Sequence, residues 1–381
     1  MAESVFKIRS KEQVWVDNYD FLLKQGYRLR KRYQSGWIGS WVLKGVSEQR
    51  LKAMGKKRYT EFEDSVVSES KVVDAVRISD DNVVALKHII PPKGDDPLRA
   101  YKHSFQEHRI MKLLASPEIR DDPRNPCPLL LDSFPLPNPE DGIIMVMTLT
   151  RYPFIPRFHP AVEALSFVRQ MLEVEAFYLP QGWYFFMSAI LHIGDEPTLN
   201  YCTRERHLPP EPPHLDRIDV KHVRYYLIDY GYSLMFPGHD QRFPVLNTGA
   251  YMRLEEFYEE DKAGKSVYAL HDPFKADLKQ LGKLIRILFG SSLPFLKPLL
   301  SALEFQSPEE RPDAAAALAM FKQLTKSLCR PTLLRHVRQG VFYQVCKDNS
   351  AFHRWWWMRQ GTFGWARATA KAIVLKRGRS S

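Results

Sequence analysis

Cysteine is scarce in this chain. Its 381 residues hold four, Cys127, Cys202, Cys329 and Cys346, scattered with no close pair. That spacing supplies neither a disulfide framework nor a zinc site, and it implies a reducing, intracellular setting, cytoplasmic or nuclear. Long apolar runs are lacking too. No stretch of about 18 residues is apolar and free of charge, so no membrane span is expected. The opening Met1-Ala2-Glu3-Ser4-Val5-Phe6-Lys7 lacks the basic-then-apolar order of a secretory signal. No internal repeat is visible. Glycine occurs 19 times overall but not once between residues 57 and 82, so no glycine-lined backbone loop can form there.

What the chain does have is apolar bulk. It is 44% hydrophobic and 12% aromatic, enough to bury a large core, and its length suits two or three domains or lobes. The net charge of +11 is unevenly spread. Over residues 330–381 eleven Lys and Arg stand against one acid, Asp348, which leaves 44 basic and 43 acidic residues elsewhere. Basicity is therefore a property of the tail, and the body is near neutral.

Residues 1–69 form an aromatic and basic extension. The pattern over 14–23 is helical and stops at Gly26, as helices do at a glycine just past their end. Residues 28–32 are basic, and Trp37-Ile38-Gly39-Ser40-Trp41 is an aromatic turn. Basic and aromatic residues together can contact nucleic acid or a partner. The alternative is that the aromatics dock on the neighbouring lobe and the charges are solvated, which the burial habit of tryptophan favours. Residues 70–150 are rich in strands. Residues 71–78 and 82–90 alternate around a turn at 79–82 and form a hairpin, and 129–134 and 143–149 are two more strands. Between them, 100–114 is an amphipathic helix with Phe105, Ile110, Met111 and Leu114 near helical spacing. In the segment 151–327, residues 161–177 form a helix with Leu165, Val168, Met171 and Leu172 on one face. Residues 203–222, rich in proline and charge, form a surface loop.

Three charged residues stand out. Lys87 lies inside the apolar strand 82–90, where a lysine is costly unless paired. Glu107 lies four residues before Met111 and seven before Leu114, on the same helix face. Asp229 ends the β-branched and aromatic run Val223-Arg224-Tyr225-Tyr226-Leu227-Ile228 and is followed by Tyr230-Gly231. A carboxylate delivered there can reach a metal ion, or can simply close a turn. Strand lysine, helix glutamate and strand-end aspartate, in that order, resemble the protein kinase family. The resemblance implies that Lys87 holds ATP phosphates, that Glu107 orients the lysine and that Asp229 binds Mg²⁺. Tyr230 replaces the family's phenylalanine and keeps the ring. It also implies an α+β, two-lobed protein-kinase-like fold, with a small β-rich N-lobe at 70–150 and a larger helical C-lobe at 151–327. The strand at 143–149 resembles the one leading into the hinge, where an adenine ring would meet backbone groups.

Further on, His271-Asp272-Pro273-Phe274-Lys275-Ala276-Asp277-Leu278-Lys279-Gln280-Leu281-Gly282 resembles the family's central large-lobe helix, whose aspartate pins the catalytic-loop backbone. Ser307-Pro308-Glu309-Glu310-Arg311-Pro312-Asp313 resembles its Arg-Pro turn, with Asp313 as the cap of an alanine-rich helix. The resemblance spans residues 70–327 and departs from the family in three places. The glycine loop before the hairpin is missing. The glutamate of Ala-Pro-Glu, usual partner of the arginine, is not visible, although Glu255, Glu256 and Glu259 stand in that region without the proline. The catalytic loop His-Arg-Asp is missing as well: the helix runs instead into Phe177-Tyr178-Leu179-Pro180-Gln181-Gly182-Trp183, which looks like the segment after that loop in a group of fungal kinase-like proteins. Deletion of the loop and a mis-predicted exon boundary give the same sequence. His192-Ile193-Gly194-Asp195, with Asn200 five residues on, imitates the absent motif and makes Asp195 a candidate catalytic base.

Three functions follow as expectations: a degraded kinase or pseudokinase with a residual ATP cleft, an active serine/threonine kinase, or a nucleic-acid or acidic-surface binder using the tail. The protein substrate or partner is not readable from the sequence. In the tail, 328–381, Phe342, Tyr343, Phe352, Trp355-Trp356-Trp357 and Trp365 alternate with Arg354, Arg359, Arg367 and Lys371. They either pack loosely on the body, or form an arm whose cations neutralise phosphates while its rings stack on bases, or result from a frame error. A binding arm would lose affinity for single-stranded oligonucleotides steeply as salt rises, and deleting the chain after Arg330 would remove most of that binding and leave the body folded. A salt titration of both forms checks this; a flat salt response excludes the arm.

Overall fold

The computed structural model describes residues 7–54, 61–65, 71–90, 104–150, 158–178, 183–184, 192–194, 223–236, 243–246, 254–260 and 266–338. The α+β class expected from the sequence is the one adopted. The chain divides into two compact units, one made of Met1–Asp95, Pro128–Arg151 and Gly194–His214, the other of Asp96–Cys127, Tyr152–Ile193 and Leu215–Ser381.

The first unit is built on a five-stranded antiparallel sheet. Its strands are β1 (Tyr27–Arg28), β2 (Val72–Arg77), β3 (Asn82–Ile89), β4 (Leu130–Pro135) and β5 (Ile143–Thr148), in the spatial order β1-β2-β3-β5-β4. Side chains alternate between the two faces of such a sheet. Val73, Ala75, Val84, Leu86, Ile144 and Val146 lie on one face and share a core with Trp15, Leu22, Tyr27, Leu29 and Tyr33. The aromatic extension thus covers that face and adds β1 to the sheet edge. Lys87 falls on the opposite face, with Ala85 and Ile89, opposite Val72 on β2 and Met145 on β5.

The single helix expected over 14–23 is two, α1 (Gln13–Asp17) and α2 (Tyr19–Lys24). They part at Asn18, whose side-chain amide donates to the Val14 carbonyl at 2.9 Å and competes with the backbone ladder. Gly26 then takes φ +91, a left-handed turn that glycine adopts without a Cβ penalty. The expectation of solvated charges in this extension is corrected. Arg32 and Glu12 have no exposed side-chain surface and pair at 2.9 Å, with Tyr33 Oη donating to the same carboxylate at 3.3 Å. Arg30 pairs with Asp74 of β2 at 2.8 Å. These arginines are buried because each has a carboxylate to meet, and the aromatics around them serve burial. Between β1 and β2 a second small core gathers Trp41 of helix α3 (Ser40–Leu43), Leu51 of α4 (Glu48–Ala53) and Phe62, with Trp37 packed against them. Asp64 fastens it, accepting from Trp37 Nε1 at 3.0 Å and from the Ser40 amide at 2.7 Å.

The second unit is mainly helical, with α5 (Ser104–Leu114), α6 (Ala161–Tyr178), α7 (Pro273–Phe289), α8 (Lys297–Glu304), α9 (Ala314–Lys326) and α10 (Arg330–Leu333). Its strands are short: β6 (Trp183–Tyr184), β7 (His192–Gly194), β8 (Arg224–Tyr226), β9 (Leu234–Met235), β10 (Val245–Leu246), β11 (Tyr258–Glu260), β12 (Ser266–Tyr268) and β13 (Leu270–His271). The axis of the unit is α7. Asp272 caps it by accepting from the Phe274 amide at 2.9 Å, and Pro273 opens its first turn. It is buried nearly all round, from Phe274 to Phe289. A Cβ on Gly282 would sit 2.8 Å from Leu303 Cβ, so a glycine is what lets α7 and α8 cross this closely. Phe158, Phe167, Tyr225 and Phe289 form an aromatic cluster, with Phe158 edge-on to Phe289 at 5.0 Å. Asp313 caps α9 as expected, accepting from the Ala316 amide at 2.8 Å.

The chain just past α10 is tied into this unit. The Ala161 amide donates to the Arg335 carbonyl at 2.9 Å and the Val337 amide to the His159 carbonyl at 2.8 Å. A truncation that leaves the unit intact therefore starts after Arg338, not after Arg330, and the Trp-rich part of the tail lies outside the described residues. Among the described residues no helix is long and apolar enough to cross a membrane.

Removing one partner of a fully buried ion pair strands the other charge. Glu12→Ala should cost about 3–5 kcal/mol in urea unfolding, whereas Lys11→Ala beside it, exposed, should shift the midpoint little. Equal effects would show that the extension is not integral to the sheet unit.

Candidate functional site

Three contacts hold the strand that leads to Asp229. Gln170 of α6 donates to the Val223 carbonyl at 3.0 Å and accepts from the Tyr225 amide at 3.1 Å, so one side-chain amide serves both backbone groups. Arg224 Nη2 donates to the Asp122 and Asn125 carbonyls. The Leu227 amide donates to the Pro126 carbonyl at 2.8 Å. Of the longer strand expected, only Arg224–Tyr226 pairs, because the backbone then turns. Asp229 has φ 66 and ψ 59, a left-handed conformation uncommon for a residue with a side chain. A 3₁₀ turn, Tyr230–Tyr232, follows. Asp229 is exposed and Tyr230 is buried.

Helix α5 packs against this turn. Glu107, Ile110, Met111 and Leu114 are each at most 1% exposed, the face that the spacing implied. The loop after α5 acts as a splint. Asn125, buried, donates to the Leu114 carbonyl at 2.7 Å and accepts from the Cys127 amide at 3.0 Å. Burial pushes the Cys127 thiol well above its ordinary range; a hydrogen bond with Tyr230 works against the shift, and the Glu107 charge adds to it.

Of the residues singled out in the sequence, Glu107 and the Asp229 turn come together in the helical unit. Lys87 stands half-buried in the sheet unit. Asp195 lies outside the described residues; the three residues before it form β7. Asp277 is buried on α7 and accepts from Gln280 Nε2 at 3.4 Å.

Glu256 is the residue that sequence reasoning missed. Arg311, 1% exposed, meets its two carboxylate oxygens with Nη1 and Nη2 at 3.0 and 2.8 Å, and Lys279 of α7 pairs with it at 3.0 Å. The arginine also donates to the Lys275 and Gln306 carbonyls, and Lys275 Nζ donates to the Arg311 carbonyl. Glu255 and Glu259, by contrast, are exposed. The signal in the sequence was the acidic cluster itself, but without the proline nothing there selects one glutamate of three.

Asp229 offers one hard oxygen donor. Among the described residues no group of three His, Cys, Asp or Glu could hold a metal ion. Mg²⁺ is commonly held by one or two carboxylates together with phosphate oxygens, and the exposed Asp229 carboxylate is one such donor.

The class these features define is α+β. It has an antiparallel sheet with a lysine on the third strand, a glutamate on the helix that follows, and an Asp-aromatic-Gly turn packed on that helix. No family model matches the chain, and no curated protein matches it. Among solved structures it is similar to the crystal structure of Rad53 kinase domain and SCD2, at 13% identity and a TM-score of 0.37, covering 65% of this chain and 81% of that one. A likeness of that depth says nothing about chemistry.

The Glu256 carboxyl feels burial, which raises its pKa, but hydrogen bonds and charge from Arg311 and Lys279 prevail and hold it below the ordinary glutamate value. A depressed pKa adds stability that is present above the unfolded value, about 4.3, and lost as pH falls through the folded one. Glu256→Gln should therefore lower the urea midpoint at pH 7 and flatten its fall below about pH 4.3. An unchanged acid limb would show that the pair does not contribute.

Proposed function

We propose that the chain is a degraded kinase or pseudokinase, one that holds ATP with Mg²⁺ through Lys87, Glu107 and Asp229 and acts by interaction rather than by rapid phosphoryl transfer. The observation that supports this reading is the packing of the Glu107 helix on the turn after Asp229, with Asp229 itself exposed. In the proposal Lys87 holds phosphate oxygens, Glu107 orients the lysine, and Asp229 holds the cation. Mg²⁺, when bound, supplies neutralisation of phosphate charge. The resemblance of Pro180-Gln181-Gly182-Trp183 to a fungal group of kinase-like proteins belongs to the same proposal.

Two features set the level of activity. The connection between β1 and β2, where a glycine-rich loop would cover phosphates, is given over to the Trp41, Leu51 and Phe62 core. The His-Arg-Asp motif is absent from the sequence, and loss of a general base alone removes about 10²–10⁴-fold in rate. Nucleotide binding without turnover is the outcome that fits both.

The test is a titration with a fluorescent ATP analogue, with and without Mg²⁺, alongside a phosphotransfer assay on a generic protein substrate. Binding should strengthen with Mg²⁺, Asp229→Ala should remove that gain, Lys87→Met should weaken binding about tenfold or more, and transfer should stay at background. Turnover of about 1 per second, abolished by Asp229→Ala, would instead establish a working serine/threonine kinase, and Asp195→Ala would then identify its base. Absence of nucleotide binding in the unaltered chain would overturn the reading.

A further inference from the structure

Residues 266–271 run as one extended segment in the helical unit. The first half pairs with β11 and the second with β10, and between them the Ala269 amide donates to the Phe257 carbonyl at 2.8 Å. Exposure alternates along the segment, as the two faces of a strand require. Val267, Ala269 and His271 turn toward the protein, and the His271 and Phe257 rings lie 4.4 Å apart. Ser266, Tyr268 and Leu270 turn outward. The register puts Leu246 opposite Leu270, Tyr258 opposite Tyr268 and Glu260 opposite Ser266, with the two tyrosine rings 5.4 Å apart. One face of this ribbon is therefore an apolar strip, on which Leu246, Tyr268 and Leu270 are 45%, 56% and 66% exposed. A contiguous apolar strip with a polar rim marks a contact surface. The described rim is acidic: Glu255, Glu259, Glu260 and Asp272 are all exposed.

The chain itself carries a segment of matching chemistry. Residues 339–381 hold eight Lys and Arg against one acid, and eight aromatic rings, Trp355, Trp356 and Trp357 among them. That segment starts from a fixed point on the same unit. The Arg338 amide donates to Ser292 Oγ at 2.8 Å, and Ser292 Oγ donates to the Arg338 carbonyl at 3.1 Å. Trp355 comes seventeen residues after Arg338, up to about 60 Å of extended chain, against a radius of gyration of about 18 Å for a compact unit of this size. A segment tethered in this way meets the strip at high effective concentration.

We propose that residues 339–381 dock in cis on this strip, their rings covering Leu246, Tyr268 and Leu270 while their cations meet Glu255, Glu259 and Glu260. The tail is then an internal ligand of the helical unit, whether or not that unit takes a nucleotide.

The test uses the full chain, with isotope-labelled and unlabelled copies mixed in equal amounts. A carbodiimide joins lysine to carboxylate without a spacer. Crosslinks from Lys347, Lys371 or Lys376 to Glu255, Glu259 or Glu260 are expected, each within one isotopic copy. Pairs of mixed isotope would make the occupant a second copy's tail and overturn the cis assignment, and crosslinks to other carboxylates alone overturn the strip. Brief trypsin treatment then follows cleavage after Arg354 and Arg359. Leu246→Ser together with Leu270→Ser should raise that cleavage about tenfold or more and abolish the crosslinks. Glu260→Lys should raise it more at low salt than at high salt. Phe305→Ser, which removes a ring 74% exposed at the end of α8, should change neither. Because the substituted side chains are exposed, the urea midpoint should hold in every variant; if the double variant lowers it, Tyr268→Ser and Glu260→Lys decide. Cleavage equal in the unaltered chain and the strip variants overturns the proposal.

Discussion

The helical unit depends on one buried charge, the Arg311 guanidinium. Burying an arginine without a partner is prohibitive, and with a single partner in good geometry it is tolerable. Here the fork of Arg311 is matched by both oxygens of Glu256, by the Lys275 carbonyl and by the Gln306 carbonyl. That one side chain joins three stretches that are distant in sequence: the segment from Gln306 to Arg311 between α8 and α9, the first turn of α7, and the 3₁₀ turn of Glu255–Phe257. Lys279 adds a second cation to the same carboxylate, which is why Glu256 stays ionised despite its burial. The position of α7, and with it of Asp277 and Gly282, follows from this anchorage.

The sheet unit solves the same problem with a different pair. Its N-terminal residues bury Glu12 against Arg32 and in doing so bring Trp15 onto the sheet, where its ring meets His88 edge-on at 6.2 Å. His88 Nε2 bonds the Asp141 carbonyl at 2.6 Å, and burial holds its pKa below the ordinary histidine value. The strand that carries Lys87 is thus fixed from the opposite face by groups of the extension, so the lysine's backbone is rigid whatever its side chain does. The basic and aromatic composition of the extension, which suggests a binding surface, is consumed by this internal role.

Much of this could be read along the chain. The hairpin, the two later strands, and the helices that became α5, α6, α7 and α9 each have a period and punctuation of their own, and strong periodicity is the most dependable local signal. The burial of Glu107, Met111 and Leu114 on one face follows from their spacing. What could not be read has short elements or distant partners. The extension's first helix breaks at Asn18 because a side-chain amide competes for a carbonyl, and β1, two residues long, exists only because β2 is there to pair with it. The strand before Asp229 is shorter than its β-rich composition implies, because a left-handed residue ends it.

The sequence by itself determined which residues carry chemistry-capable groups, in what order, and which helix face each occupies, since those are matters of spacing within a few turns. It also determined what is missing, because a glycine or a His-Arg-Asp that is not written cannot be supplied by folding. Only the tertiary structure decided that Arg311 chooses Glu256 over Glu255 and Glu259 and that the arginines of the extension are buried. In each case the deciding quantity is the cost of leaving a buried polar group unmatched, and that cost is set by neighbours which the chain brings together from far apart.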